Sequence, residues 1–159
     1  MENYDDIVSE ALTRVKEVMP WDLSASLLEG NKPIMLDVRE PAEFMMLHIP
    51  DSINIPRGIL EQSCEWGYEE TVPEMACGRT QEIVVICRSG KRSALAADML
   101  LRMGFSNVAS LSSGIRGWND FEQQLVNSIG ETIDADTGDL LLASKLRPDQ
   151  RKQSKLYSK

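Results

Sequence analysis

Apolar residues come in short runs along this chain, and the spacing within each run predicts an element. In "YDDIVSEALTRVKEV", Ile7, Leu12, Val15 and Val18 fall near one helical face, and Asp5 and Asp6 suit the positive end of a helix, so a helix is predicted over 5–18. After a short extended piece, a second helix is expected over Leu23–Glu29, N-capped by Asp22 and closed by Gly30. "PIMLDVREP" reads as a buried strand, Ile34–Leu36, ending in polar Asp37 and Arg39, with Pro41 in the first turn of a helix. "DSINIP" reads as a strand near Ile53–Ile55, and "RGILEQ" as a helical turn or two.

Residues 63–81, "SCEWGYEETVPEMACGRTQ", have no clear period and read as an inserted loop, a length that is uncommon in a compact domain unless functional or partly structured. "IVVI", 83–86, is the continuous apolar run of a central parallel strand. Ser93–Met103 is expected to be helical, with Asp98 and Arg102 four apart and Gly104 at its end. "VASL", 108–111, is a last strand, and "GIRGWNDFEQQLV" begins another helix, with Trp118 in the core. Short strands alternating with helices predict an α/β fold with a mainly parallel sheet. In the tail, "ETIDADTGDLLLA" is read as a hairpin turned at Asp136–Asp139 through Thr137-Gly138, followed by a basic, apolar-poor and mobile segment. The organisation is then a helix in 1–19, a domain over 20–126 and an extension over 127–159.

Composition narrows the class. The chain has 159 residues, 42% hydrophobic and 26% charged, which suits one globular domain. No apolar stretch approaches a membrane span, and "MENYDDIVSE" lacks the apolar core of a secretion signal, so a cytoplasmic protein without a membrane partner is expected. A formal net charge of −8 argues against nucleic acid as a partner. Three cysteines, Cys64, Cys77 and Cys87, are an odd number and favour a reducing compartment. One histidine, His48, and no Cys-x-x-Cys argue against a structural zinc site. Cys64 and Cys77 are read as inert thiols.

Against the acidic background, "IVVICRSGKRS" is a local exception. Cys87 sits where the central strand ends, and ligands of open α/β sheets bind outside such carboxyl ends. Ser89 and Gly90 allow a tight turn whose N–H groups face one centre, and the helix that follows points its positive end at the same place. Both features, with Arg88, Lys91 and Arg92 nearby, favour a thiolate over a thiol. A local cationic site on an acidic protein suits a small anion rather than a polyanion.

"CRSGKRS" after "IVVI" resembles the active-site loop of the rhodanese family of sulfurtransferases. "LDVREPAEFMMLHIPDSINIP" resembles that family's N-terminal signature and "LSSGIRGW" its C-terminal one, so the resemblance covers about residues 20–122 in order. It implies a single α/β domain with a five-stranded, mainly parallel sheet and helices on both faces. It also implies Cys87 as the nucleophile that becomes a persulfide and passes its sulfur to cyanide, a small thiol or a protein cysteine. Arg88, Ser89, Gly90, Lys91, Arg92 and Ser93 would line the substrate, the loop backbone cradling the sulfur and the three cations holding a small anionic donor such as thiosulfate. Asp37, Arg39 and His48 match signature positions and are given structural work near the site, while Ser112 and Ser113 border it. No metal or organic cofactor is implied, and a monomer or homodimer fits equally. Leu47 and "SSG" stand where the family commonly has glycines, which bears on substrate shape.

Two other readings remain. Cysteine phosphatases share a loop cysteine but need five residues between Cys and Arg; Cys87 and Arg92 have four between them, and Ser93 takes the fifth-spaced position, so phosphatase or arsenate reductase chemistry fits less well. A non-catalytic interaction or sulfur-carrier module usually lacks the cysteine. The acidic run Glu65, Glu69, Glu70 and Glu74 could dock a basic protein acceptor, although a solvated loop is the plainer reading.

Overall fold

A computed structural model describes residues 1–152, and the end of the basic tail, 153–159, lies outside the described residues. Five strands form one sheet: β1 (Lys16–Val18), β2 (Ile34–Asp37), β3 (Ile53–Asn54), β4 (Glu82–Ile86) and β5 (Asn107–Leu111), in the order β1-β5-β4-β2-β3. Every pairing is parallel. The apolar run 83–86 takes the central position because each of its side chains has a core to enter. Ile83, Val85 and Cys87 point into one apolar cluster, while Val84 and Ile86 point into the other.

Helices cover both faces. On the first lie α1 (Tyr4–Leu12), α4 (Leu60–Ser63), α5 (Pro73–Ala76) and α6 (Lys91–Arg102), which bury Leu60, Met75, Ala96, Ala97 and Leu100. On the second lie α2 (Pro20–Leu28), α7 (Gly114–Asp120) and α8 (Ala135–Leu142), which bury Leu23, Ile115, Trp118 and Leu142. The short α3 (Pro41–Met46) starts at Pro41, as a missing N–H allows.

Several elements differ from their sequence expectation. The first helix stops at Leu12, and 16–18 becomes the edge strand β1, paired from Lys16↔Ala109 to Val18↔Leu111. The buried face of α1 is Val8 and Ala11, whereas Ile7 is exposed. Backbone pairing with β5 outweighed a helical spacing carried by two valines that suit a strand equally well. The second helix begins at Pro20 rather than Leu23, so Asp22 lies in its first turn instead of capping it; Gly30, at φ +94°, closes it as expected. The 63–81 segment is not a free loop. Cys64 and Met75 are fully buried, and the Arg79 guanidinium donates to the carbonyls of Cys64 and Ala76 and pairs with Glu65.

The tail departs most. A hairpin does form, but between β6 (Leu125–Val126) and β7 (Thr132–Ile133), ahead of the expected turn. Residues 135–142 are the helix α8, with the Asp134 carboxylate accepting from the Thr137 N–H as N-cap. Gly138 serves neither a turn nor a left-handed φ. It lets α8 lie against Asn119 of α7, whose amide donates to the Ala135 carbonyl and to Asp139. A Cβ at position 138 would come 2.5 Å from Asn119 Oδ1.

Alanine at 138 would gain about 1 kcal/mol of helix propensity, but it overpacks a buried, doubly bonded Asn119, which costs about 1–3 kcal/mol. Gly138→Ala is therefore expected to lower stability in urea unfolding, and a more stable variant would show that α8 is not seated on Asn119.

Candidate active site

Cys87 follows directly on β4, and its chain reverses within three residues to enter α6. The reversal needs Gly90 at φ +95°, where a Cβ would crowd the Ser113 amide at 3.3 Å and the Leu111 carbonyl at 3.4 Å. Gly90 is the N-cap of α6, and its N–H donates to Cys87 Sγ at 3.1 Å. The sulfur thus occupies the positive end of a twelve-residue helix. It also lies 3.3 Å from Ser93 Oγ, which is 2.7 Å from Ser110 Oγ; both serines are fully buried. A thiol can donate to Ser93, and a thiolate can accept from it once the two hydroxyls rotate, so the pair serves either state without backbone movement. Cys87 itself is only 1% exposed and packs with Val85 and Ala96.

α7 holds the loop from the other side. The N–H groups of Ile115 and Arg116 donate to the carbonyls of Cys87 and Arg88 at 2.9 and 3.1 Å. Gly114 permits this approach: its φ is +61°, and a Cβ there would lie 2.5 Å from the Cys87 carbonyl oxygen and from the Arg88 carbonyl carbon. Ser113 precedes it at φ +60°, a left-handed conformation usually left to glycine, at the place where the family pattern has one.

Each of the three cations has a partner other than the sulfur. Arg92 lies in the first turn of α6 and makes a two-pronged ion pair with Glu43 of α3, at 2.8 and 2.9 Å. Lys91 pairs with Asp5 of α1 and sits over the Tyr4 ring. Arg88 donates from Nε to the Leu142 carbonyl at the end of α8. Of the three cations expected to hold an anionic donor, two thus face carboxylates in this structure, because α6 begins at Lys91 and turns both side chains toward neighbouring helices. Ser89 is exposed at the tip of the loop.

Asp37, Arg39 and His48 are framework residues in the described geometry. The Asp37–Arg39 pair is almost wholly buried, joined at 2.8–3.1 Å, and Arg39 also donates to the Leu47 carbonyl. The Asn54 amide closes the cluster by donating to the carbonyls of Asp37 and Arg39. Leu47 has extended backbone and a buried side chain, so the departure from glycine there is absorbed by the core. His48 stacks on Phe44, its Nδ1 lies 2.9 Å from the Phe44 carbonyl, and its backbone bridges to Val126. Burial pushes the Cys64 thiol up to about 11, so it stays protonated, while Cys77 is exposed. Among the described residues no group of His, Cys, Asp or Glu is placed to hold a metal ion, and no helix is long and apolar enough to cross a membrane.

Glu43, Ser110 and Leu142 belong to this site and were missed from the sequence. Glu43 sits inside the "REPAEF" signature, which was a signal available to be used; Ser110 is one polar residue in an apolar strand; the Leu142 carbonyl leaves no trace in residue type.

A parallel α/β sheet whose central strand ends in a thiol, held by the amide of a glycine-capped helix, defines a loop-cysteine α/β domain. The family model described as a rhodanese-like domain matches residues 22–121, and the chain belongs to that family. A mitochondrial protein of Schizosaccharomyces pombe, named as a candidate thiosulfate sulfurtransferase, is 31% identical over 103 residues, which are 63% of this chain and 72% of that one. The rhodanese-related protein of Thermoplasma volcanium superposes with a TM-score of 0.57 at 29% identity, covering 70% of this chain and 97% of that one. A Rhodopseudomonas palustris protein of unknown function, described as a possible tyrosine phosphatase, superposes at 0.69 with 25% identity, covering 84% and 96%. The family and its sulfurtransferase relatives support sulfur transfer as the general activity.

Two outcomes follow from the charges. Arg39→Ala leaves the Asp37 carboxylate buried without its partner and is expected to cost about 3–5 kcal/mol in urea unfolding; a loss below about 1 kcal/mol would show that water reaches Asp37. The Arg92 guanidinium holds the Glu43 carboxyl below its ordinary 4.5. Folding thus favours the ionised form, so Glu43 stabilises fully above about pH 4.5 and loses this effect as pH falls through its lowered folded value. The stability difference between wild type and Glu43→Gln should be present at pH 7 and shrink toward pH 3; a constant difference would refute the linkage.

Proposed function

We propose that this protein transfers a sulfane sulfur through a persulfide on Cys87. The observation that carries the reading is the Gly90 N–H on Cys87 Sγ at the N-terminus of α6. In the first step the Cys87 thiolate attacks the outer sulfur of thiosulfate or an organic persulfide. A bond forms between the two sulfurs, the donor's S–S bond breaks, and sulfite or a thiolate leaves with the electron pair. In the second step cyanide or a thiolate attacks the terminal sulfur of the Cys87 persulfide, and the Cys87 thiolate is the leaving group. The negative charge passes between the two sulfurs beside the Gly90 N–H, a donor fixed before reaction. Three unpaired thiols suit work in the cytoplasm, as a monomer or homodimer, with a small anionic donor and a small or protein acceptor.

A phosphatase is the poorer fit, despite the likeness to a protein described as a possible tyrosine phosphatase. An arginine that grips phosphoryl oxygens must be free to turn inward, and Arg92 is held by Glu43. A purely non-catalytic module gives no reason for the amide and hydroxyls around Cys87.

Thiosulfate treatment should add one sulfur to the intact mass, removable by reductant and mapped to Cys87. Cys87→Ser should lose it, with turnover falling by a factor on the order of 10³ or more while the fold persists. Loading on Cys64 or Cys77, or turnover kept by the serine variant, would overturn the proposal.

A further inference from the structure

Behind the Cys87 sulfur lies a buried polar arrangement to which the two reaction steps give no role. Ser93, in the first turn of α6, and Ser110, on β5, are both 0% exposed. Ser110 lies level with Val85 of β4, so its side chain stands on the same face of the sheet as Cys87. Ser93 Oγ is 3.3 Å from Cys87 Sγ and 2.7 Å from Ser110 Oγ. Among the described residues Ser110 Oγ has no other hydrogen-bond partner, so it closes the row Cys87–Ser93–Ser110 at the end away from the sulfur. Valine or alanine would fill this strand position without leaving a hydroxyl to satisfy in the core.

We propose that Ser110 is a positioning residue for the sulfur chemistry: it donates to Ser93 and thereby fixes the Ser93 hydrogen on Cys87 Sγ. The inference rests on the persulfide reading above and deepens it. The distances admit two directions along the row, and the hydrogens separate them. Each hydroxyl carries one hydrogen and can accept on its oxygen. When Ser110 donates to Ser93 and Ser93 donates to the sulfur, both hydrogens are used, and the sulfur they meet is a thiolate. When the thiol donates to Ser93 and Ser93 to Ser110, the Ser110 hydrogen is left in the core without an acceptor, which disfavours that state. The dead end at Ser110 therefore favours the ionised sulfur. The hydrogen bond that Ser93 receives also polarises the one it gives. Ionisation sends the thiol proton to water, while the serines rotate and lose none. The same donor meets the thiolate that attacks in the first step and the thiolate that leaves in the second. Neither serine reaches solvent, so the pair acts on the sulfur from within the core. The charged and titratable groups around Cys87 are separate from the row. They are Arg88 in its own loop, Arg92 with Glu43, Lys91 with Asp5 and Tyr4, Asp98 with Arg14, Arg116 on α7, and the Asp37–Arg39 pair after β2. Glu17, level with Ser110 on β1, is exposed. Replacing either serine alters none of these charges.

The test follows the ultraviolet absorbance of the Cys87 thiolate against pH in protein that carries no added sulfur, as the difference between each protein and the same protein bearing Cys87→Ser. Ser110→Ala should move the curve up by about half a pH unit or more, a roughly threefold smaller ratio of thiolate to thiol at a given pH, as the loss of one net hydrogen bond implies. In a Ser93→Ala background Ser110→Ala should move the curve no further, because its effect passes through Ser93. A Ser110→Ala curve that superimposes on wild type would overturn the proposal, as would an undiminished displacement in the Ser93→Ala background. Either result leaves the persulfide reading intact where thiosulfate still adds one sulfur to wild-type Cys87. Absence of that sulfur, with the curves displaced as expected, would overturn the persulfide reading and leave the Ser110 row standing.

Discussion

The first turn of α7 decides which way the Cys87 loop faces. Ile115 and Arg116 fix the carbonyls of Cys87 and Arg88 on the α7 side. In a planar trans peptide the C=O and the next N–H point in opposite directions. Holding those two carbonyls therefore turns the N–H groups of Arg88 and Ser89 away from α7, and Gly90 continues the reversal by placing its own N–H on Sγ. This is the physical content of the "SSG" signature. Gly114 is required because any side chain would enter the loop backbone, and the left-handed Ser113 is the strained approach that brings it there.

The Gly90 amide, the start of α6 and the Ser93 hydroxyl, rather than hydrogen bonds from side-chain cations, are what meet the Cys87 sulfur. Arg92 and Lys91 act as struts: they tie α6 to α3 and to α1 through Glu43 and Asp5. The exposed Lys91–Asp5 pair contributes little to stability in water, whereas the half-buried, two-pronged Arg92–Glu43 pair fixes the direction in which the loop enters its helix. On a chain of net charge −8 this division has a use. Asp5 and Glu43 take up two of the three loop cations, whereas the amide donor on the sulfur is fixed in the backbone.

The central features were legible because they are written in adjacent residues. A continuous apolar run, a cysteine and a glycine-bearing turn predict β4, the reversal and α6 from local chemistry alone, and three ordered motifs carry the family. What was not legible depends on contacts between distant segments. Val15 and Val18 fit a helix until β5 offers Lys16 and Val18 a ladder. Thr137-Gly138 looks like a turn until Asn119 needs a surface without a Cβ. Arg88, Lys91 and Arg92 read as one cationic cluster because sequence shows their proximity and hides Leu142, Asp5 and Glu43.

α7 also joins the two halves of the site. Its N-terminal amides hold the loop carbonyls, and near its C-terminal end Asn119 holds α8. α8 in turn offers the Leu142 carbonyl to Arg88, the residue directly after the cysteine. The loop is thus gripped twice by one packed unit, once on its backbone and once on its side chain. A displacement of α8 would reach Arg88 through a single hydrogen bond, whereas a displacement of α7 would reach the peptide planes that aim the amides. The extension can therefore vary the surroundings of Arg88 while the loop backbone is kept by α7. The loop backbone and the Arg88 side chain are held by different contacts of the same helix pair.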